Sequence, residues 1–259
     1  MSDTNYDNAF YEEHAVKARS SAEAIVPLVI ELVAPTSVVD LGCGPGTWLA
    51  TFGRHGVDDC LGVDGEWVER GILEIAEANF RVARLDRPFR LDRRFDLAMS
   101  LEVAEHLPEH ASRGFVDTLV RLAPCVLFSA AIPHQGGLHH VNEQWPEYWA
   151  ALFATHGYVV VDAVRPRVWS MAGVDFWYKQ NTFVYAREEI LAARPLLARE
   201  RDRTVDSMLS LVHPRLLTHM AADATSHVRR PTAREYSLRE LVDAFPHVVA
   251  RSLRWRLRR

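Results

Sequence analysis

Two hydrophobic rhythms alternate along the chain. Apolar and β-branched residues crowd into short runs at 37–41, 60–63, 80–85, 93–100, 125–131, 158–164 and 181–186, with the density and length of β-strands. Between them the apolar positions spread to helical spacing, as at Ile25, Leu28, Val29 and Leu32. That spacing predicts helices over 6–33, 47–52, 66–79 and 115–122, and another opened by Pro146, since proline is tolerated in a first helical turn. Pro27 is expected to divide the first region into two helices, and Ser20 with Glu23 has the spacing of a capping box. Strands alternating with helices make a mostly parallel sheet covered on both faces; the nearly unbroken apolar run 125–131 is what a doubly covered strand needs. From Glu188 onward the strand rhythm stops and arginine-rich helical segments follow, among them one capped by Ser237-x-x-Glu240 and interrupted by Pro246. The chain therefore divides into N-terminal helices that act as a cap (1–36), an α/β core (37–187) and a C-terminal helical extension (188–259).

The core is organised around Val38 to Gly46, where a strand runs into Gly42, Gly44 and Gly46 and then into a helix. Glycine lets backbone approach a ligand closely, and a helix start offers free N–H donors. The spacing is G-x-G-x-G, one residue short of the G-x-G-x-x-G that cradles a pyrophosphate. Asp40, two residues before the turn, would repel a phosphate and welcome a cationic amino-acid group. Asp64 ends the second strand, 24 residues after Asp40, where a carboxylate can accept two hydrogen bonds from a ribose diol. Asp40-Leu-Gly-Cys-Gly-Pro-Gly46 resembles motif I of the class I S-adenosylmethionine-dependent methyltransferases. That resemblance implies a Rossmann-like, seven-stranded sheet whose last strand is antiparallel, S-adenosylmethionine as cofactor and S-adenosylhomocysteine as product. It also implies an adenine contact at Asp86, which ends the third strand, and cofactor contacts at Asp40, Gly42, Gly44, Gly46 and Asp64. Tyr6, Phe10 and Tyr11 could fold over the cofactor, though plain packing is the favoured reading, and Trp67 could cover its adenine, with packing at least as strong a reading.

Leu101 to Leu107, Leu-Glu-Val-Ala-Glu-His-Leu, resembles the segment after the fourth strand in the ubiquinone-biosynthesis O-methyltransferase type, which lines the methyl-transfer pocket and places Glu102 on the cofactor. Glu102-x-x-Glu105-His106 is also similar to the divalent-ion site of small-RNA 2′-O-methyltransferases, with His139 or His140 as a further ligand suited to Mg²⁺ or Mn²⁺. The same letters fit a metal-free site, and no metal is assigned. After the fifth strand, Gly136 and Gly137 free the backbone before His139, His140, Asn142 and Glu143. Histidine exchanges a proton near neutral pH, so His140 or His139 is the general-base candidate, with Glu143 or Asn142 as orienter. Alternatively, this segment is a lid whose His and Asn cap the helix at Pro146. Aromatic residues crowd 168–181, which suits a sugar face, a planar acceptor or plain core equally.

Composition narrows the reading further. The 259 residues are 48% hydrophobic and 25% charged, values of an ordinary globular protein, and the net charge of -4 gives no global pull toward nucleic acid. Cys43, Cys60 and Cys125 form no C-x-x-C pair and read as reduced, buried thiols of a cytoplasmic protein. No run approaches the roughly 18 apolar residues of a membrane span, and the polar start has no signal-peptide profile. The end, 251–259, interleaves arginines with Leu253, Trp255 and Leu257, which suits an anionic membrane surface, a terminal helix or a homodimer contact. These features together predict O-methylation of a small molecule: a sugar, glycoconjugate or secondary metabolite. The alternatives are a metal-assisted 2′-O-methyltransferase on RNA or a sugar diol, a nicotinamide reductase, and a non-catalytic protein that binds S-adenosylmethionine.

Overall fold

The computed structural model describes residues 8–227, with side chains for 17–222, and the single position 245. Two compact units divide after Leu216, and the account below concerns the first. A helix, α1 (Asn8–Val33), leads into β1 (Ser37–Leu41) and α2 (Thr47–Arg54), followed by β2 (Asp59–Asp64), β3 (Phe80–Val82) and β4 (Leu97–Leu101). Next come α3 (Ser112–Leu122), β5 (Cys125–Ser129), α4 (Pro146–Ala154) and β6 (Tyr158–Val161). Two short helices, α5 (Arg165–Val168) and α6 (Phe176–Asn181), precede β7 (Phe183–Arg187), after which α7 (Pro195–Arg203) and α8 (Pro214–His227) follow.

Among the described residues the seven strands form one sheet in the order β3-β2-β1-β4-β5-β7-β6. All pairs are parallel except β5·β7 and β6·β7, so β7 is the antiparallel insertion that the family resemblance implies. Strand alternation divides the core into two layers. Cys125 and Leu127 face the layer of Ile25, Val29 and Phe52, while Val126 and Phe128 face that of Phe115, Leu119 and Phe153. Both layers are dry, which is why β5 tolerates almost no polar side chain. Phe153 stacks on Tyr185 with ring centroids 3.9 Å apart, closing the second layer over β7.

The helix predictions needed most correction. α1 is a single helix that runs through Pro27, because the rest of its apolar stripe is buried against α2 and the sheet and holds both halves in line. Ser20 and Glu23 are therefore mid-helix: Ser20 donates to the Gly173 carbonyl and Glu23 accepts from Arg54, so neither caps a terminus. The helix predicted over 66–79 is replaced by two 3₁₀ turns, Arg70–Ile72 and Glu77–Asn79, since Ile75 packs under the glycine turn. β3 stops at Val82 instead of residue 85, and β5 at Ser129 instead of 131. The aromatic-rich stretch 168–181 contains α6. The capped segment at Ser237, Pro246 and the basic end 251–259 lie outside the described residues, as do the side chains of Tyr6, Phe10 and Tyr11.

A buried ion pair fastens α5 to the ends of β6 and α6. Arg165, 1% exposed, donates to both oxygens of Asp162 (2.9 and 2.6 Å) and to the carbonyls of Gln180 and Leu209, with its guanidinium over the Phe183 ring. Removing one partner of such a pair strands a charge and several carbonyls. Arg165→Met should therefore lose about 3 kcal/mol of unfolding free energy, measured from the shift in urea midpoint.

Candidate functional site

β1 and β2 end side by side at the edge where the glycine turn begins. Gly42 has φ +87°, and a Cβ there would meet the Val103 side chain at 2.4 Å, so only glycine lets the segment after β4 pack against this turn. A Cβ on Gly44 would meet nothing within 4 Å: its outer face is open space of the kind a ligand fills. Gly46 takes the N-cap position of α2 in the left-handed conformation. The two aspartates are both buried. Asp64, 7% exposed, accepts the Gly44 and Gly65 N–H groups at 2.7 and 2.6 Å, one on each oxygen, which leaves lone pairs on both for a diol. Burial raises the carboxyl pKa of Asp64 against the pull of those two N–H donors, while burial and the charge of Asp64 hold that of Asp40 well above its ordinary range. A cationic ligand would relieve this crowding of negative charge.

Trp67 sits in a turn instead of a helix, lies across Gly65 and is 72% exposed, a flat ring standing beside the Asp64 carboxylate. Asp86 lies beyond β3 at the surface, with both oxygens held by Arg84 at 3.0 and 2.6 Å. An adenine contact at Asp86 would have to share it with that guanidinium.

The segments after β4 and β5 are stitched together by backbone. Val141 and Asn142 donate their N–H groups to the Glu105 carbonyl at 2.9 and 3.0 Å. Glu143 gathers the loop: it accepts the N–H groups of His134 and Gly136 at 2.7 and 2.8 Å and faces His140 Nδ1 at 2.9 Å. Gly137 is what lets the His140 ring lie down, since a Cβ there would meet Nε2 at 2.2 Å. His139 is exposed at φ +61°, and its backbone carbonyl accepts from the His106 ring. Asn142 is buried and donates to Ser112 Oγ at 3.0 Å. The N-cap of α4 is Trp145, with no side-chain cap bond, so neither His nor Asn caps that helix.

Glu102, at a strained φ of +54°, turns its carboxylate into this edge. It accepts from Gln135 Nε2 at 2.9 Å and from Asn181 Nδ2 at 3.1 Å, and Asn181 also donates to Gln135 Oε1 at 2.9 Å. Glu105 is 0% exposed and neither carboxylate oxygen has a hydrogen-bond partner among the described residues; burial and then the nearby Glu102 charge push its pKa well up. The ligand atoms of Glu105, His106 and His140 lie within 4.8 Å of one another, and the two imidazoles meet edge to face at 4.8 Å. Thus the structure brings together Glu102, Glu105, His106 and His140, and the His139 carbonyl meets the His106 ring. Gln135, Gln180 and Asn181 escaped the sequence reading: amides carry no motif, and their contacts span sequence separations of up to 79 residues.

The family model described as "Methyltransferase domain" matches residues 14–163, more than half of the chain. Chloroplastic tocopherol O-methyltransferase of Arabidopsis thaliana is 39% identical over 99 residues, covering 33% of this chain and 26% of that protein, so the chain spans about a quarter of the curated relative it matches. Magnesium protoporphyrin IX methyltransferase from Synechocystis, solved with bound S-adenosylmethionine, aligns at TM-score 0.50 and 17% identity over 73% of this chain and 86% of that one. DesVI of Streptomyces venezuelae aligns at 0.51 and 14%, over 72% and 98%. At these identities the two structures speak to fold alone. If the corner holds the nucleoside through Asp64, Asp64→Ala should weaken S-adenosylhomocysteine binding at least about tenfold by calorimetry, the worth of one charge-assisted pair. The family match takes in β1 to β6 and the whole glycine corner, and the chain belongs to the methyltransferase-domain family, class I enzymes whose cofactor is S-adenosylmethionine.

Proposed function

We propose that this protein moves the methyl group of S-adenosylmethionine onto a hydroxyl of a small molecule, a sugar, glycoconjugate or secondary metabolite, with His140 receiving the hydroxyl proton. The observation that carries the proposal is the His140–Glu143 pair, 2.9 Å apart on a loop that Glu143 itself closes. A sulfonium is already an activated donor, so the protein's task is in-line placement and removal of one proton. Glu143 holds the imidazole from Nδ1, which leaves the other ring nitrogen for the proton. The tocopherol enzyme, an O-methyltransferase by name, supports oxygen as the accepting atom. We place the reaction in the cytoplasm, consistent with three free, buried cysteines and with no described helix long and apolar enough to cross a membrane. His140→Gln should lower kcat about 10² to 10⁴-fold on a methylated acceptor found by screening sugars and phenols, with S-adenosylhomocysteine affinity unchanged. A protein that only bound the cofactor would show that affinity and no transfer to any acceptor.

One observation favours a second reading: Glu105 is buried with both oxygens unpartnered, beside two imidazoles. A divalent cation there would satisfy the carboxylate, take His140 as a ligand in place of a base, and bind an acceptor diol. Two imidazoles and a carboxylate suit Mn²⁺ better than Mg²⁺. On this reading Mn²⁺ raises the melting temperature of the wild type and leaves Glu105→Gln unmoved, and excess chelator abolishes transfer; if transfer survives chelator, His140 acts as the base.

A further inference from the structure

The helix that supplies Asn181 and Gln180 to the site also carries a buried lysine. Lys179 is 5% exposed, and among the described residues no carboxylate or other acceptor bonds its ammonium. Its electrostatic neighbours are Asp175, one turn earlier on the same segment, and Arg215, a second cation. Arg215 is exposed, with no carboxylate pair among the described residues, and its guanidinium stands 6.0 Å from the Phe176 ring. The remaining titratable neighbour is neutral. His213 Nδ1 accepts the Arg215 N–H at 3.2 Å, which puts the ring proton on Nε2, where it donates to the Trp169 carbonyl at 3.2 Å. Burial also lowers the pKa of His213. The positive end of the 14-residue α8 begins at Pro214, beside Arg215.

One like charge, Arg215, and a helix N-terminus thus stand near the Lys179 ammonium, and the one carboxylate neighbour, Asp175, makes no hydrogen bond to it among the described residues. Leaving a buried charge unpaired is costly, and the same arrangement turns favourable when an anion enters it. The backbone N–H of His213 donates to Gln180 Oε1 at 2.7 Å, and Gln180 Nε2 bonds Asn181 Oδ1 at 2.9 Å. A direct hydrogen-bonded chain therefore runs from this cluster to Glu102.

We infer that Lys179 and Arg215 form an oxyanion subsite, and that the acceptor carries a phosphate or carboxylate group which seats there while its hydroxyl faces the cofactor edge. This rests on the methyl-transfer reading above, which it deepens by naming a charged acceptor. The test uses the full chain saturated with S-adenosylhomocysteine, titrated with inorganic phosphate, glucose 1-phosphate or glucuronate at constant ionic strength and followed by calorimetry. The wild type should bind at least one of the three, with affinity reduced about tenfold or more in Lys179→Met, reduced less in Arg215→Gln, and kept within about threefold in Lys179→Arg. Glucose 1-phosphate against glucuronate identifies which oxyanion is carried. Should Lys179→Met fail to fold, Arg215→Gln and Lys179→Arg decide the matter alone. Binding of none of the probes by a chain that still holds S-adenosylhomocysteine overturns the subsite and leaves the methyltransferase intact; equal binding in Lys179→Met also overturns it. Loss of S-adenosylhomocysteine binding in the wild type would instead count against the methyl-transfer reading.

Discussion

A carboxylate taken out of water must find donors, and this constraint shapes the working edge of the sheet. Asp64 finds two backbone N–H groups and thereby fixes the glycine turn against the tip of β2. Glu143 finds two more and a histidine, and so shapes the loop after β5. Glu102 finds two amide side chains and draws α6 toward β4. Each acid is satisfied by a different part of the chain, so the three together tie four loops into one edge. Glu105 has no donor on either oxygen among the described residues, which makes it a chemically unfinished position.

The two apolar layers make that edge rigid. The strands of the core are buried on both faces, and Phe128, Phe153 and Tyr185 interlock over β5 and β7. Parallel strands bring their C-terminal ends to one side, where a ligand meets loops in place of packed side chains. Rigid strands carrying short, hydrogen-bonded loops are a good foundation for a reaction whose catalysis is chiefly alignment.

The cofactor half and the acceptor half of the site differ in how they are built. The first is backbone: glycines, N–H groups and two strand-tip aspartates within 24 residues of each other. The second is side chains, from segments after β4, after β5 and on α6, held by amide bridges such as Gln135–Asn181. Backbone geometry recognises the invariant donor. On the proposed methyl transfer the side-chain cluster selects the acceptor, and the proposed oxyanion subsite at Lys179 belongs to that half.

By itself the sequence determined the order of the strands and the glycine turn, and it singled out Asp40, Asp64, Glu102 and His140 as candidates, because these depend on local spacing and on residue chemistry legible over a few positions. Even there it misjudged α1, where tertiary packing carries a helix through Pro27, and 66–79, where Ile75 under Gly46 outweighs helical spacing. Only the tertiary structure decided that Gln135 and Asn181 meet Glu102 with Gln180 bonded to both, that Glu143 is the partner of His140, and that Lys179 lies buried near Arg215. Those contacts join residues far apart in the chain, and no local pattern records a partner that folding alone brings within 3 Å.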